Sequence, residues 1–344
     1  MQKDKVFFVP WDSFSNMQAK AQELYTASEL LDVVEKGDKV AVKLHVGELG
    51  NPNYIRPFFV KQVVDLIQEK GGKPFLTDTC TYYPLKRSNA VDHMQTAIAN
   101  GFNFAPFIVA DGMASENKIS VDSPDPLLPE VEVAGAIHQA DCMIVLSHLK
   151  GHPLGGFGGA IKNLGMGCVS KNTKLAQHRL VDLEIHTELC QGCGSCVEAC
   201  WFGLPRIEND VAVIDDPNCM RCPLCSSACP EDAITLSGFD RLGQGLAVAA
   251  QGVISTFAPE KIAYVNFATD IGTVCDCAPV TGEYIGSNLG IFAGFSPLSL
   301  DAVGLSRIDY QKLNSVHNVN CWDQVQKMSE LDTSGSMQPE VIEL

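Results

Sequence analysis

Short apolar runs alternate with longer stretches in which apolar residues recur every three or four positions, and this alternation fills most of the 344 residues. Residues 6–9, 39–45, 73–79 and 141–147 read as strands, and residues 17–35, 55–70 and 90–100 as helices. In the 55–70 stretch Val60, Val63, Val64 and Ile67 share one face, Gly71-Gly72 ends it, and Gly101 stops the 90–100 stretch. After an interruption the same grammar resumes, with helical patterns at 241–256 and 298–313 and strand patterns at 261–267 and 290–293. Strands alternating with helices predict an α/β fold: a mainly parallel sheet with helices on both faces.

The interruption is a run of cysteines. Eight of the fourteen fall into two copies of one spacing, Cys190, Cys193, Cys196, Cys200 and Cys219, Cys222, Cys225, Cys229, the last followed by Pro230. Three thiolates at two-residue gaps can wrap one corner of an iron–sulfur cube, while the fourth reaches the other cube. One 4Fe-4S cluster is therefore expected on Cys190, Cys193, Cys196 and Cys229, and a second on Cys219, Cys222, Cys225 and Cys200. Zinc knuckles also use Cys-x-x-Cys pairs, but zinc gives no reason for a third and fourth cysteine at these gaps, twice. A disulfide framework is disfavoured because the start of the chain reads as a first strand and not as a secretory leader, which places the thiols in a reducing, cytoplasmic compartment.

Residues 185–238 resemble the bacterial-type two-cluster ferredoxins, with one departure: Trp201 stands after Cys200 where those proteins carry proline. The expected organisation is a single α/β domain, residues 1–184 plus 239–344, interrupted by an inserted ferredoxin-like (α+β) module at 185–238. Three consecutive domains are the alternative, but the last would need a sheet of its own from few strands.

Composition narrows the partners. Lys and Arg number 25 against 41 Asp and Glu, a formal charge of −16. Such a surface repels phosphodiester backbones and anionic lipid, so neither nucleic acid nor membrane is expected, and no apolar run approaches the ~20 residues needed to cross a bilayer. A redox partner protein or a small-molecule substrate remains; the oligomeric state is not legible.

Titratable residues collect at the predicted strand ends: Lys43 and His45, Asp78 with Thr79 and Cys80, Ser147 with His148 and Lys150, and the 270–277 segment. In open parallel sheets ligands bind beyond the carboxyl ends of the strands. After His148 comes a glycine-rich segment in which Gly155, Gly156, Gly158, Gly159 and Gly165, with Lys162 and Asn163, form a candidate cradle for a phosphate, a carboxylate or a flavin. It matches neither the P-loop nor the dinucleotide fingerprint. A flexible glycine loop with solvated lysines is the plainer alternative.

His148-Leu149-Lys150-Gly151-His152 and Gly159-Ala160-Ile161-Lys162-Asn163-Leu164-Gly165 are similar to the signature of a family catalogued as domain of unknown function 362. Val42-Lys43-Leu44-His45 and Leu300-Asp301-Ala302-Val303-Gly304 match its other landmarks. Many members carry a ferredoxin-type module, but the resemblance implies no settled reaction.

Further ligation is open to His45, His148, His152, Cys168 and above all Cys275 and Cys277, whose two thiols flank an aspartate and suit either a further metal or thiol chemistry. Cys80, Cys142 and Cys321 read as small buried residues, and His93, His138, His178, His186 and His317 as surface or helix residues. The function expected is an iron–sulfur oxidoreductase or its subunit, relaying electrons through both clusters to a ligand at the strand ends. His45, Asp78, His148, Lys150 and Lys162 are its candidate catalytic residues. The alternative is a non-catalytic ferredoxin-like carrier or accessory protein with a ligand-sensing α/β domain.

Overall fold

The computed structural model describes residues 3–344. Along the inner strands, successive residues enter opposite cores. Val40 and Val42 pack with Cys142, Ile144, Leu146, Val265 and Phe267 on one side of the sheet; Ala41 packs with Met143, Val145 and Tyr264 on the other. This period of two with both faces apolar is what a strand covered on both sides requires.

Among the described residues the central sheet has eight strands, in the spatial order Glu340–Glu343, Lys5–Pro10, Gly290–Gly294, Ile262–Ala268, Cys142–His148, Lys39–Lys43, Lys73–Asp78, Phe107–Val109. All run in one direction except Gly290–Gly294, which is antiparallel to both neighbours. Helices Met17–Ala27 and Pro57–Glu69 cover one face. Ala160–Gly165, Phe239–Ile254, Pro297–Arg307 and Asp323–Leu331 cover the other. The α/β fold with a mainly parallel sheet is as the alternation predicts.

Two predicted helices break. The 17–35 stretch stops at Ala27, because Glu29 turns left-handed (φ 56°) and redirects the chain into a 3-10 turn, Leu30–Val33, that buries Leu30 and Val33. The 298–313 stretch splits at Ile308, which is extended (φ −94°, ψ 163°). Asp309 then caps a new helix, Tyr310–His317, by accepting from the Lys312 amide. The three-residue edge strand Phe107–Val109, the closing strand Glu340–Glu343 and the hairpin of Lys118–Asp122 with Glu130–Ala134 were too short or too polar to be read.

The central sheet draws strands from both sides of the cysteine-rich stretch. That stretch is bracketed by antiparallel strands Asp182–Ile185 and Ile234–Ser237, holds a second small hairpin at 206–213, and has a separate core of Cys196, Ala212, Cys225 and Ile234. Among the described residues no helix is long and apolar enough to cross a membrane.

Candidate functional site

The carboxyl ends of the parallel strands Lys39–Lys43, Lys73–Asp78 and Cys142–His148, with the 277–280 segment, open into one cavity of about 400 Å³. Its polar wall brings together Lys43, His45, Asp78, His148, Lys150, Lys162, Asn163, Gly158, Gly159 and Cys277, all singled out from sequence, with Arg87, Lys174 and His178, which were not. Its opposite wall comes from the cysteine-rich segment: Trp201, Met220, Cys222, Pro223 and Leu224. Trp201, the residue that departs from the ferredoxin pattern, thus faces the cavity, its ring 6.0 Å from that of Tyr83.

The base of the cavity is an ion-pair network. Lys43 is fully buried; its Nζ donates to Asn163 Oδ1 (2.6 Å) and lies 3.1 Å from Asp78 Oδ1. Arg87, also buried, pairs with Glu48 (3.2 Å) and Asp78 (3.5 Å) and donates to the Tyr83 hydroxyl. Burial alone would raise the Asp78 carboxyl, but Lys43 and Arg87 outweigh it and hold Asp78 below its ordinary value. Asp78 is therefore an anchored carboxylate, poorly suited to taking a proton. Lys174, from helix Lys171–His178, donates to Thr79 Oγ1 (2.8 Å) and the Val169 carbonyl (2.6 Å), and burial lowers its pKa.

A second network holds Asp276. His148 Nδ1 lies 2.9 Å from Asp276 Oδ1 and its Nε2 2.6 Å from the Thr269 carbonyl, while Lys150 reaches Asp276 Oδ2 at 3.2 Å. Both ring nitrogens of His148 thus face acceptors. The structure shows His148 holding Asp276 in place. Burial would raise the Asp276 carboxyl, but His148 and Lys150 bring it down to about 2.

His45 and His152 are better placed. His45 Nδ1 accepts from the Gly47 amide (3.0 Å), and His152 Nδ1 accepts from the amides of Gly155 (2.9 Å) and Leu154 (3.3 Å). Each ring is held well below the usual histidine range, by burial first and then by nearby cations, among them Arg87 for His45 and Lys162 for His152. Both are neutral, with the ring proton on Nε2. His178, read from sequence as a bland helix residue, lines the cavity and is lowered to about 4 by burial and Lys162. His93, read likewise, is fully buried 3.7 Å from Asp78. The i, i+4 spacing of Lys174 and His178 behind the Ser170 cap was the available signal for the first.

The glycine-rich segment is no flexible loop. It forms a hairpin, Lys150–His152 with Gly156–Gly158, followed by helix Ala160–Gly165. The first amides of that helix, Ala160 and Ile161, each donate at 2.8 Å to the Asp301 carboxylate, which also accepts from Asn266 Nδ2 (2.7 Å). The two amides that open this helix are thus occupied by an internal carboxylate. Gly158 and Gly159 do reach the cavity. Gly155, Gly156 and Gly165 do not line it: they lie against Leu246, Cys321 and the Leu246 carbonyl respectively.

Near the cavity, His152, Cys275 and Cys277 place ligand-type atoms within 4.8 Å of one another. Cys275 lies behind the wall, 1% exposed, with Lys162 Nζ 3.9 Å from its sulfur. The Cys277 thiol bonded to Cys275 brings Cys275 well below the usual thiol range, helped by Lys162 and Lys150, and that same bond pushes Cys277 up. Cys80, Cys142, Cys168 and Cys321 are isolated buried thiols pushed up to about 12, and Cys168, like His45 and His148, stands outside this group.

The remaining eight cysteines gather in two fours. Cys190, Cys193, Cys196 and Cys229 line one small cavity, and Cys200, Cys219, Cys222 and Cys225 another. The sequence pairing crosses between the runs in this way. The amides of Ala212 and Ala233 donate to the sulfurs of Cys190 and Cys229, both at 3.3 Å.

The family described as Domain of unknown function (DUF362) matches residues 40–306 of the chain. No curated protein matches the sequence. Among solved structures, the lactate racemase apoprotein from Thermoanaerobacterium thermosaccharolyticum is 14% identical, with a TM-score of 0.42 over 84% of this chain and 53% of that one. A structural-genomics target from Thermotoga maritima is 11% identical, with a TM-score of 0.45 over 93% of this chain and 60% of that one. The chain thus spans little more than half the length of either structure. It belongs to the DUF362 family.

Proposed function

We propose that this DUF362 protein is an iron–sulfur oxidoreductase whose cavity binds a small anionic substrate beside an electron-carrying cluster. The observation that carries the reading is that Cys222 belongs to one group of four cysteines and also lines the cavity, flanked there by Met220 and Leu224. Four sulfur donors around each small cavity, with backbone amides directed at two of the sulfurs of the first, suit a thiolate-ligated cube, and it is the repeated spacing of the cysteines, not their number at each site, that favours it over a four-cysteine zinc site. Cys190, Cys193, Cys196 and Cys229 would hold one 4Fe-4S cluster, and Cys200, Cys219, Cys222 and Cys225 the other. When bound, such clusters supply one-electron transfer with no open coordination site.

The rest of the assignment concerns the chain's own groups. The cavity wall carries five cationic side chains, Lys43, Arg87, Lys150, Lys162 and Lys174, against one carboxylate, Asp78, in a chain whose net charge is −16. Lys43, Arg87 and Lys150 are neutralised by buried carboxylates and Lys174 is spent on the Thr79 hydroxyl and the Val169 carbonyl, whereas among the described contacts Lys162 has the Cys275 sulfur beside it. Lys162 is thus the residue that binds a carboxylate or phosphate, and neutral His45 and His152 offer Nε2–H hydrogen-bond donors beside it. Pro279, Val280, Trp201 and Leu224 line its apolar part.

The test is an anaerobic reoxidation screen. Protein reduced with dithionite is mixed with small anionic oxidants while the visible iron–sulfur absorption is followed. At least one oxidant should restore the oxidised spectrum in the wild type and do so about tenfold or more slowly in Lys162→Met. Equal rates in both proteins for every oxidant would remove the cavity from the reaction.

A further inference from the structure

The Cys275-Asp276-Cys277 triplet is not used by that reading, and its surroundings discriminate between the two chemistries open to it. Three soft donors within 4.8 Å suit a metal by spacing alone. A metal-bound histidine, however, donates through its other ring nitrogen to a carbonyl or carboxylate. His152 Nδ1 does the reverse, accepting from the amides of Leu154 and Gly155. The nearest charge to the sulfurs is also the wrong one for a cation, since Lys162 Nζ lies 3.9 Å from Cys275 and Lys150 is held beside the pair by Asp276. A cation there stabilises a thiolate and opposes a divalent ion.

We infer that Cys275 and Cys277 are a redox-active dithiol of the cavity, cycling between two thiols and an internal disulfide by exchange with small disulfides that bear carboxylates. The two sulfurs have different places. Cys277 lines the cavity and meets the incoming molecule; Cys275 is buried behind it, its sulfur accepting from the Cys277 amide at 3.4 Å. The proton shared between the thiols, with charge favoured on Cys275, makes a thiolate available in the pair at neutral pH.

The exchange balances without an outside oxidant beyond the disulfide itself. The shared proton passes from Cys277 to Cys275 as the Cys277 thiolate attacks one sulfur of RSSR; a Cys277–SR bond forms, the RS–SR bond breaks, and RS⁻ leaves with the proton now on Cys275. Cys275, now a thiolate, attacks the Cys277 sulfur, displacing the second RS⁻, which takes from solvent the proton the pair gave up on forming its thiolate. The sum is two protein thiols plus RSSR giving the protein disulfide plus two RSH. The return takes two electrons and two protons, which a small dithiol supplies. Lys162, which no carboxylate neutralises among the contacts described, selects for the acidic disulfide over a neutral one. The inference goes beyond the proposed function and stands without the clusters.

The chain itself provides the readout, because the tryptic fragment 262–307 contains Cys275 and Cys277 and no other cysteine. Full-length protein, reduced with dithiothreitol under argon and then exposed to oxidised glutathione, is quenched in acid, alkylated and mapped by mass. In the wild type this fragment should lose both alkylation sites and become lighter by two hydrogens, and dithiothreitol should restore both. Cys275→Ser should retain glutathione at Cys277, and Cys277→Ser should react about tenfold or more slowly. A neutral disulfide, hydroxyethyl disulfide, should react more slowly than glutathione disulfide in wild type and lose that disadvantage in Lys162→Met. Two cysteines that stay alkylatable after glutathione disulfide would overturn the inference. So would one stoichiometric transition metal per chain that is lost in both serine variants. The iron content of the same sample reports separately on the clusters.

Discussion

Lys162 and His148 show how far single residues could be read. Both stood out from sequence as polar groups after a strand, but their roles are set by neighbours more than a hundred positions away: Cys275 for Lys162 and Asp276 for His148. Periodicity places a residue at a strand end; it does not say whether a partner will occupy it. Arg87 was missed for the same reason, since its loop carries no pattern and its carboxylates, Glu48 and Asp78, come from two other segments. Arg87→Ala would strand both carboxylates in the interior and should destabilise the fold by roughly 3–5 kcal/mol, readable by urea denaturation, far more than a surface arginine. Asp276 gives a pH dependence of definite sign. Its folded value of about 2 lies below the ordinary 3.8, so its stabilisation is present above pH ~4 and lost as pH falls toward 2. The span is worth roughly 2 kcal/mol. Asp276→Asn should flatten the acid limb of the stability curve between those limits, and an unchanged limb would mean that the His148 and Lys150 pairs contribute nothing.

At the scale of elements, strands with both faces apolar were legible because a buried parallel sheet leaves a simple signature. The helices misread were those ended by a single residue's conformation, Glu29 or Ile308, which no apolar period reports. Two landmark motifs distant in sequence turn out to be one device. Asp301 from Pro297–Arg307 caps helix Ala160–Gly165, and a Cβ on Gly159 would stand 2.3 Å from its Oδ1. The short helix also packs against Phe239–Ile254 so closely that a Cβ on Gly165 would come 2.1 Å from the Leu246 carbonyl oxygen. A backbone atom cannot rotate aside. Gly165→Ala should therefore cost roughly 1–3 kcal/mol and lower the melting temperature in calorimetry, while carrying Lys162 and Asn163 off the cavity wall. Asp301 is itself raised to about 6 by burial, above its ordinary 3.8. Its contribution to stability is therefore greatest below pH ~4 and declines as pH rises through 6, the opposite sense to Asp276.

For the whole molecule, the informative relation is between the two parts. The sequence divided the chain into an α/β framework and a cysteine-rich stretch, and it grouped the eight cysteines into the two fours that line the small cavities. It could not say that the stretch folds back over the carboxyl edge of the sheet, because the residues that close the cavity, Trp201, Met220, Pro223 and Leu224, carry no motif. That closure places Cys222 on the cavity wall while Cys193, in the other four, is exposed. In the proposed reading the cluster on Cys200, Cys219, Cys222 and Cys225 would stand beside the cavity and the other nearer to solvent. Analysis of iron and acid-labile sulfide in protein purified without oxygen, on the wild type and on Cys222→Ser, tests this most directly. The account predicts about eight irons and eight sulfides per chain in the wild type, with the variant losing about half while the cluster on Cys190, Cys193, Cys196 and Cys229 survives. Iron near zero with stoichiometric zinc in its place would contradict it.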